Sequence, residues 1–180
     1  MTEIKILIAL LPVIFMVHDF EEIIMFKPWL TKNSLEIKRR FPKLDTFLTK
    51  KRIYSISSSG FAVAVLHEFI LISAVTYLSL LYDNYNWWFA AFSAYSIHLL
   101  VHIGQWILWR KYIPAILTSI VTLTYCIYTL CVFTKTIQVS FETMLLWTLI
   151  GLVITLLSFP SSFYLALKFE KWRGDVYVNK

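Results

Sequence analysis

The chain has 180 residues, of which 58% are hydrophobic and only 16% charged, with a mean hydropathy of +0.67 and a formal net charge of +6. Soluble domains are about 45–50% apolar and roughly 25% charged, so this composition excludes a soluble globular enzyme and points to an all-α integral membrane protein. Glycine is scarce, at 4 residues, no internal repeat or low-complexity segment is visible, and residues 1–180 read as a single domain.

A membrane span needs about 20 predominantly apolar residues. Five stretches meet this requirement: 5–27, 57–82, 87–109, 113–134 and 141–168. The first has the length of a signal peptide, but no small-residue cleavage site follows it and an acidic motif stands where cleavage would fall, so a retained helix is expected. A basic loop, 28–56, comes next; its Leu35, Phe41, Leu44 and Phe47 are interspersed with Lys and Arg, the pattern of a segment lying along the anionic inner leaflet. Tyr82, Tyr85, Trp87 and Trp88 mark the outer border of spans two and three, and Trp106, Trp109 and Tyr112 the inner border of spans three and four. Cys126 and Cys131 are badly spaced for a disulfide on one helix and read as small apolar residues. In the last span, Pro160 and its neighbouring serines are expected to kink or end the helix.

Charge sets an orientation. Nine of the 17 Lys and Arg lie from Lys27 to Arg52, and Arg110, Lys111, Lys168, Lys171, Arg173 and Lys180 fall on the same side of a five-span chain. Only Lys5 and Lys135 fall on the other. The positive-inside rule then places the N-terminus outside and the C-terminus in the cytoplasm, in a bundle of five transmembrane helices. A bacterial cytoplasmic membrane is the expected location, membrane lipid the expected partner of the basic surface, and no nucleic-acid module accompanies the charge.

One stretch stands out in the first span: His18-Asp19-Phe20-Glu21-Glu22, embedded in apolar sequence. A charged side chain near a helix centre costs roughly 2.5–3.5 kcal/mol on insertion scales, so the stretch needs a partner. All four histidines of the chain, His18, His67, His98 and His102, fall within spans. At ~1.5 Å rise per residue they sit at similar depths from the cytoplasmic side, about 13 Å for His18, 15 Å for His67, and 16 and 10 Å for His98 and His102. His18, Glu21 and Glu22 are spaced i, i+3, i+4, and His98 and His102 i, i+4, spacings that group side chains on one helix face. The expected ligand set is therefore His18, Glu21, Glu22, His67, His98 and His102, holding a divalent metal ion, zinc first and iron or manganese as alternatives. Asp19 is a candidate acceptor for an imidazole N–H. Simpler roles exist: His67 as an interhelical hydrogen-bonding residue, and Glu21 and Glu22 snorkelling toward water.

His18, Glu21 and Glu22 reproduce the pattern of the HXXEE domain family of small membrane proteins, which the chain resembles from the first span to the start of the fourth. The family's Tyr-x-Pro-Gly motif is similar to Tyr112-Ile113-Pro114-Ala115, with Ala115 in place of glycine. The resemblance implies an intramembrane metal site and no established activity. Pro114 also reads as a helix-starting proline for span four, and Tyr112 as either an interface anchor or a hydrogen-bond donor to the site.

Two functions fit these residues. The first is a metal-dependent hydrolase acting on a lipid or other amphiphilic substrate in the cytoplasmic half of the bilayer, with Glu21, Glu22 and Tyr112 as catalytic candidates. The second is a metal- or proton-coupled transporter built on the same groups, which in so small a chain requires an oligomer. A di-iron oxidase or hydroxylase is a variant of the first, although no Glu-x-x-His motif is present; haem held by two histidines leaves the glutamates unexplained.

Overall fold

In a computed structural model the described residues are 2–178, with side chains described through Gly174, so that Lys180 of the charge count lies outside them. Among them there are only helices: α1 (Glu3–Arg40), α2 (Pro42–Lys50), a 3-10 turn (Ile53–Ser55), α3 (Ser58–Leu81), α4 (Asn86–Trp109), α5 (Ile116–Thr136) and α6 (Phe141–Val178). α1 packs on α3 and α5, α4 on α5 and α6, and α3 on α6. At one point α4 and α6 nearly touch: a Cβ on Gly151 would lie 2.1 Å from the Ala90 carbonyl oxygen, so only glycine permits that approach.

The bundle is apolar on its outside as well as within. Leu66 and Ile70 of α3, Leu117 and Val121 of α5, and Leu156 and Leu157 of α6 are all exposed, a surface suited to hydrocarbon rather than water. Three helices are long and apolar enough to cross a membrane: Ser58–Leu81, Ile116–Thr136 and Phe141–Gly174. That is fewer than the five stretches expected. α1 falls short because Asp19, Glu21 and Glu22 interrupt its apolar run, and α4 because His98, His102 and its aromatic residues depress its hydropathy. Asp19, at 4% exposure, and His102, at 7%, are turned inward, as is His18 at 0%. Polarity that counts against a span in sequence is here spent inside the bundle.

Three local expectations need correction. The 28–56 segment is not a loop. α1 runs on to Arg40, through both Pro12 and Pro28, and α2 follows with Leu44, Phe47 and Leu48 on one side. Pro160 neither ends nor interrupts α6, which continues to Val178. Pro114 does not start a helix either, because α5 begins only after Ala115, whose φ of 66° is left-handed. Cys126 and Cys131 are both free.

The two ends of the bundle are pinned by charge. On one, Lys5 pairs with Asp83 at 2.6 Å, tying the start of α1 to the turn between α3 and α4. On the other, Arg40 donates to the carbonyls of Leu108 and Trp109, each at 3.2 Å, and so caps the C-terminus of α4 with positive charge. Glu36 joins this clamp through Lys111 at 2.9 Å and Arg40 at 3.1 Å, and those two cations hold its carboxyl below the usual carboxylate range. Tyr54 donates to Asp45 at 2.8 Å; burial first, and then that hydrogen bond, push its hydroxyl up to about 12.

Candidate metal centre

α1 and α4 supply the centre. His18 and Glu22 are one turn apart on α1, His98 and His102 one turn apart on α4, and one ligand-capable atom from each of the four lies within 4.8 Å of all the others. His102 Nε2 stands 3.0 Å from His98 Nε2 and 3.0 Å from Glu22 Oε1. The His18 ring centroid is 5.3 Å from that of His98 and 5.1 Å from that of His102. Edge-on packing of Tyr95, 5.9 Å away, walls the His18 ring on a further side.

These distances suit a shared cation. Around a tetrahedral ion with bonds of about 2.0–2.1 Å, neighbouring donor atoms stand roughly 3.3 Å apart. Without a cation the arrangement is poorly satisfied. One Nε2 carries at most one proton, so His102 cannot donate through it to both His98 and Glu22. His18 Nε2 and His102 Nδ1 are buried with no hydrogen-bond partner. An ion would take the His18 lone pair and remove the crowding at His102. The buried group His18, Glu22, His98 and His102 is thus able to hold a metal ion.

The other expected site residues lie elsewhere. Glu21 and Glu22 are about 100° apart on the helix, and they part company: Glu22 faces α4 while Glu21 faces α5. Glu21 Oε2 accepts from the Thr118 backbone N–H at 2.9 Å and from the Thr118 hydroxyl at 2.7 Å, and Oε1 accepts from the Tyr112 hydroxyl at 2.8 Å. Ala115, the N-cap of α5, has no polar side chain to cap the helix, and Glu21 supplies the acceptor from a neighbouring helix. Tyr112, partly exposed, meets Glu21 rather than the four-residue group. His67 joins a second polar group, its Nδ1 3.2 Å from Glu68 Oε1 and its Nε2 3.3 Å from Ser161 Oγ of α6. Glu68 also accepts from Ser158 at 3.0 Å.

Thr118 was not singled out in the sequence, yet it links Glu21 to His18. Its hydroxyl proton goes to Glu21, which leaves its oxygen to face His18 Nδ1 at 3.4 Å. That contact favours the tautomer with the proton on Nδ1, leaving Nε2 free to ligate. Thr118 occupies the third position of α5, close after the Tyr112–Ala115 turn, and one sequence carries no stronger signal for it.

A cavity of about 670 Å³ opens beside the group and is lined along α4 from Trp87 to Trp109. That stretch of helix is about 33 Å long, close to the ~30 Å of a hydrocarbon core. Small residues, Ala90, Ala91, Ala94 and Gly151, keep it open toward the Trp87 end, and Leu44 and Leu48 of α2 border the other.

Fold and site together define an all-helical protein with a buried histidine–carboxylate group on the wall of an apolar cavity. The chain belongs to the family described as protein of unknown function with HXXEE motif, whose profile matches residues 9–129. That stretch takes in His18, Glu21 and Glu22 as well as His67, His98 and His102. No curated protein and no solved structure matches the chain.

Proposed function

We propose that this chain is an integral membrane hydrolase that uses a divalent metal ion, zinc by its donor set, against a lipid or other amphiphilic substrate. The observation that carries the reading is the convergence of three imidazoles and one carboxylate, with unpartnered ring nitrogens, at a long apolar cavity whose wall includes Glu22, His98 and His102. In this reading α1 and α4 are the fourth and fifth spans, crossing beside α3, α5 and α6. The basic residues of α1 beyond Lys27 and of α2 then face the cytoplasm.

His18, His98 and His102 would hold the ion, three imidazoles being a donor set of catalytic zinc sites. A bound divalent ion supplies Lewis acidity and lowers the pKa of water. Glu22, 3.0 Å from His102, is placed to take the proton. Glu21 acts at one remove, holding Thr118 and through it His18. The apolar walls keep bulk water away and admit the substrate's hydrocarbon part.

A transporter is less well supported. Toward the Trp87 end the cavity is bordered by Val75, Ala90, Ala91 and Ile154, which offer no hydrated path onward from the acidic group.

Elemental analysis of the detergent-purified chain is the test, beside His102→Ala and Glu22→Gln. About one zinc, iron or manganese per chain is expected, lost in His102→Ala and kept in Glu22→Gln. Hydrolysis of medium-chain esters should fall by at least about 100-fold in Glu22→Gln, the usual scale for a general base. A chain that binds no ion even after reconstitution overturns the reading.

A further inference from the structure

Three carboxylates line the long cavity, Asp19, Glu22 and Glu68, and among the described residues no lysine or arginine lines it. Two of the three have partners. Glu22 meets His102, and Glu68 accepts from Ser158 while lying 3.2 Å from His67 Nδ1. Asp19 differs: it is 4% exposed, and its Oδ2 is buried with no hydrogen-bond partner. Leaving a buried carboxylate oxygen without a donor incurs most of its desolvation cost. The rest of the wall offers little polarity, since Phe15, Phe26, Phe61, Val65 and Ile72 are typical of it.

We propose that the cavity binds a long-chain amphiphile whose head group donates hydrogen bonds and carries no negative charge, a primary amine or amino alcohol by class, with Asp19 Oδ2 as its acceptor. This deepens the hydrolase reading and rests on it in taking the cavity for the substrate site. An amine or amino-alcohol head group supplies the donor that Asp19 Oδ2 lacks, while the chain lies along the apolar wall of α4. An ionised phosphate or carboxylate head group has only acceptors and gives Asp19 Oδ2 no donor.

The experiment measures binding of octylamine and of octanoate to the detergent-purified full-length chain by thermal shift, in wild type and Asp19→Asn, with ion content read on the same samples. Octylamine is expected to bind more tightly than octanoate by about tenfold, the scale of one hydrogen bond to a charged group. Asp19→Asn should erase most of that preference without changing the ion content. Octanoate binding as tightly as octylamine, or a preference that survives in Asp19→Asn, overturns the proposal. Should Asp19→Asn fail to fold, carbodiimide labelling of the wild-type chain decides: octylamine protecting Asp19, read by peptide mass spectrometry, supports the assignment, and no protection overturns it. Repeating the binding on chelator-treated chain separates this proposal from the hydrolase reading. An Asp19-dependent amine preference in a chain that never binds an ion upholds the former and sinks the latter. A loaded chain with no amine preference does the reverse.

Discussion

The four histidines divide into two unlike settings. His67 sits among groups that already answer its hydrogen-bonding needs, Glu68 on one side and Ser161 on the other, and Ser158 completes the environment of Glu68. His18, His98 and His102 crowd against one another, with two buried ring nitrogens left unpartnered. A polar group that is internally satisfied serves to join helices, whereas one that is unsatisfied at ligand-like distances has been shaped for something the chain itself does not supply. The contrast separates a histidine with partners on both ring nitrogens from a group that leaves ring nitrogens without one, and it does so without appeal to depth, since all four lie at similar levels by residue count.

The sharpest way to break the comparison is to exchange the roles. His18→Ala or His102→Ala should abolish ion retention altogether, while His67→Ala should leave at least most of it, read by elemental analysis of purified protein. Retention in His102→Ala together with loss in His67→Ala would reverse the assignment. Next in size is the close approach of α4 and α6. Gly151→Leu forces a side chain into the Ala90 carbonyl, and the expected loss of about 3 kcal/mol or more should appear as a large drop in thermal stability. Glu21→Gln tests the supporting role of the other glutamate: ion affinity should weaken by about 10–100-fold, the scale on which groups that orient a ligand act, without abolition.

Smaller effects lie at the edges of the site. Ala115 holds a left-handed φ of 66° where the family motif has glycine. Relief of about 1–2 kcal/mol of strain in Ala115→Gly, set against about 0.8 kcal/mol for the lost buried methyl, should leave a modest gain in unfolding stability. The smallest effect concerns pH. Lys111 and Arg40 depress the Glu36 carboxyl, so its contribution is full above the unfolded carboxylate pKa of about 4.3 and is lost as pH falls through the lower folded value. Wild type and Glu36→Gln should therefore differ in thermal stability near neutrality and converge on acidification.

Much of the centre was legible because lipid penalises polarity. His18 and Glu22 on α1, and His98 and His102 on α4, carry helical spacing within apolar sequence, and few arrangements other than a buried site make that tolerable. The neighbours of these residues were harder to place. Glu21 and Glu22 both satisfy the one-turn spacing to His18, yet they diverge by about 100°, and which of them meets α4 depends on where α4 and α5 pack. His67 matched the others in depth, but its direction is set by the position of α6, which the sequence of α3 does not encode.

The sequence by itself determined the helical class, the presence of helices apolar enough to cross a membrane and an acidic histidine motif set in apolar sequence, because composition and helical period are local properties. Tertiary structure decided which histidines converge, which glutamate caps α5 instead of facing the cluster, and how far α1 continues as helix beyond Lys27. It also opened the cavity that Asp19, Glu22 and Glu68 share. Those outcomes depend on how each helix is rotated about its axis against its neighbours, and that rotation is fixed by packing among five long helices rather than by any one of them.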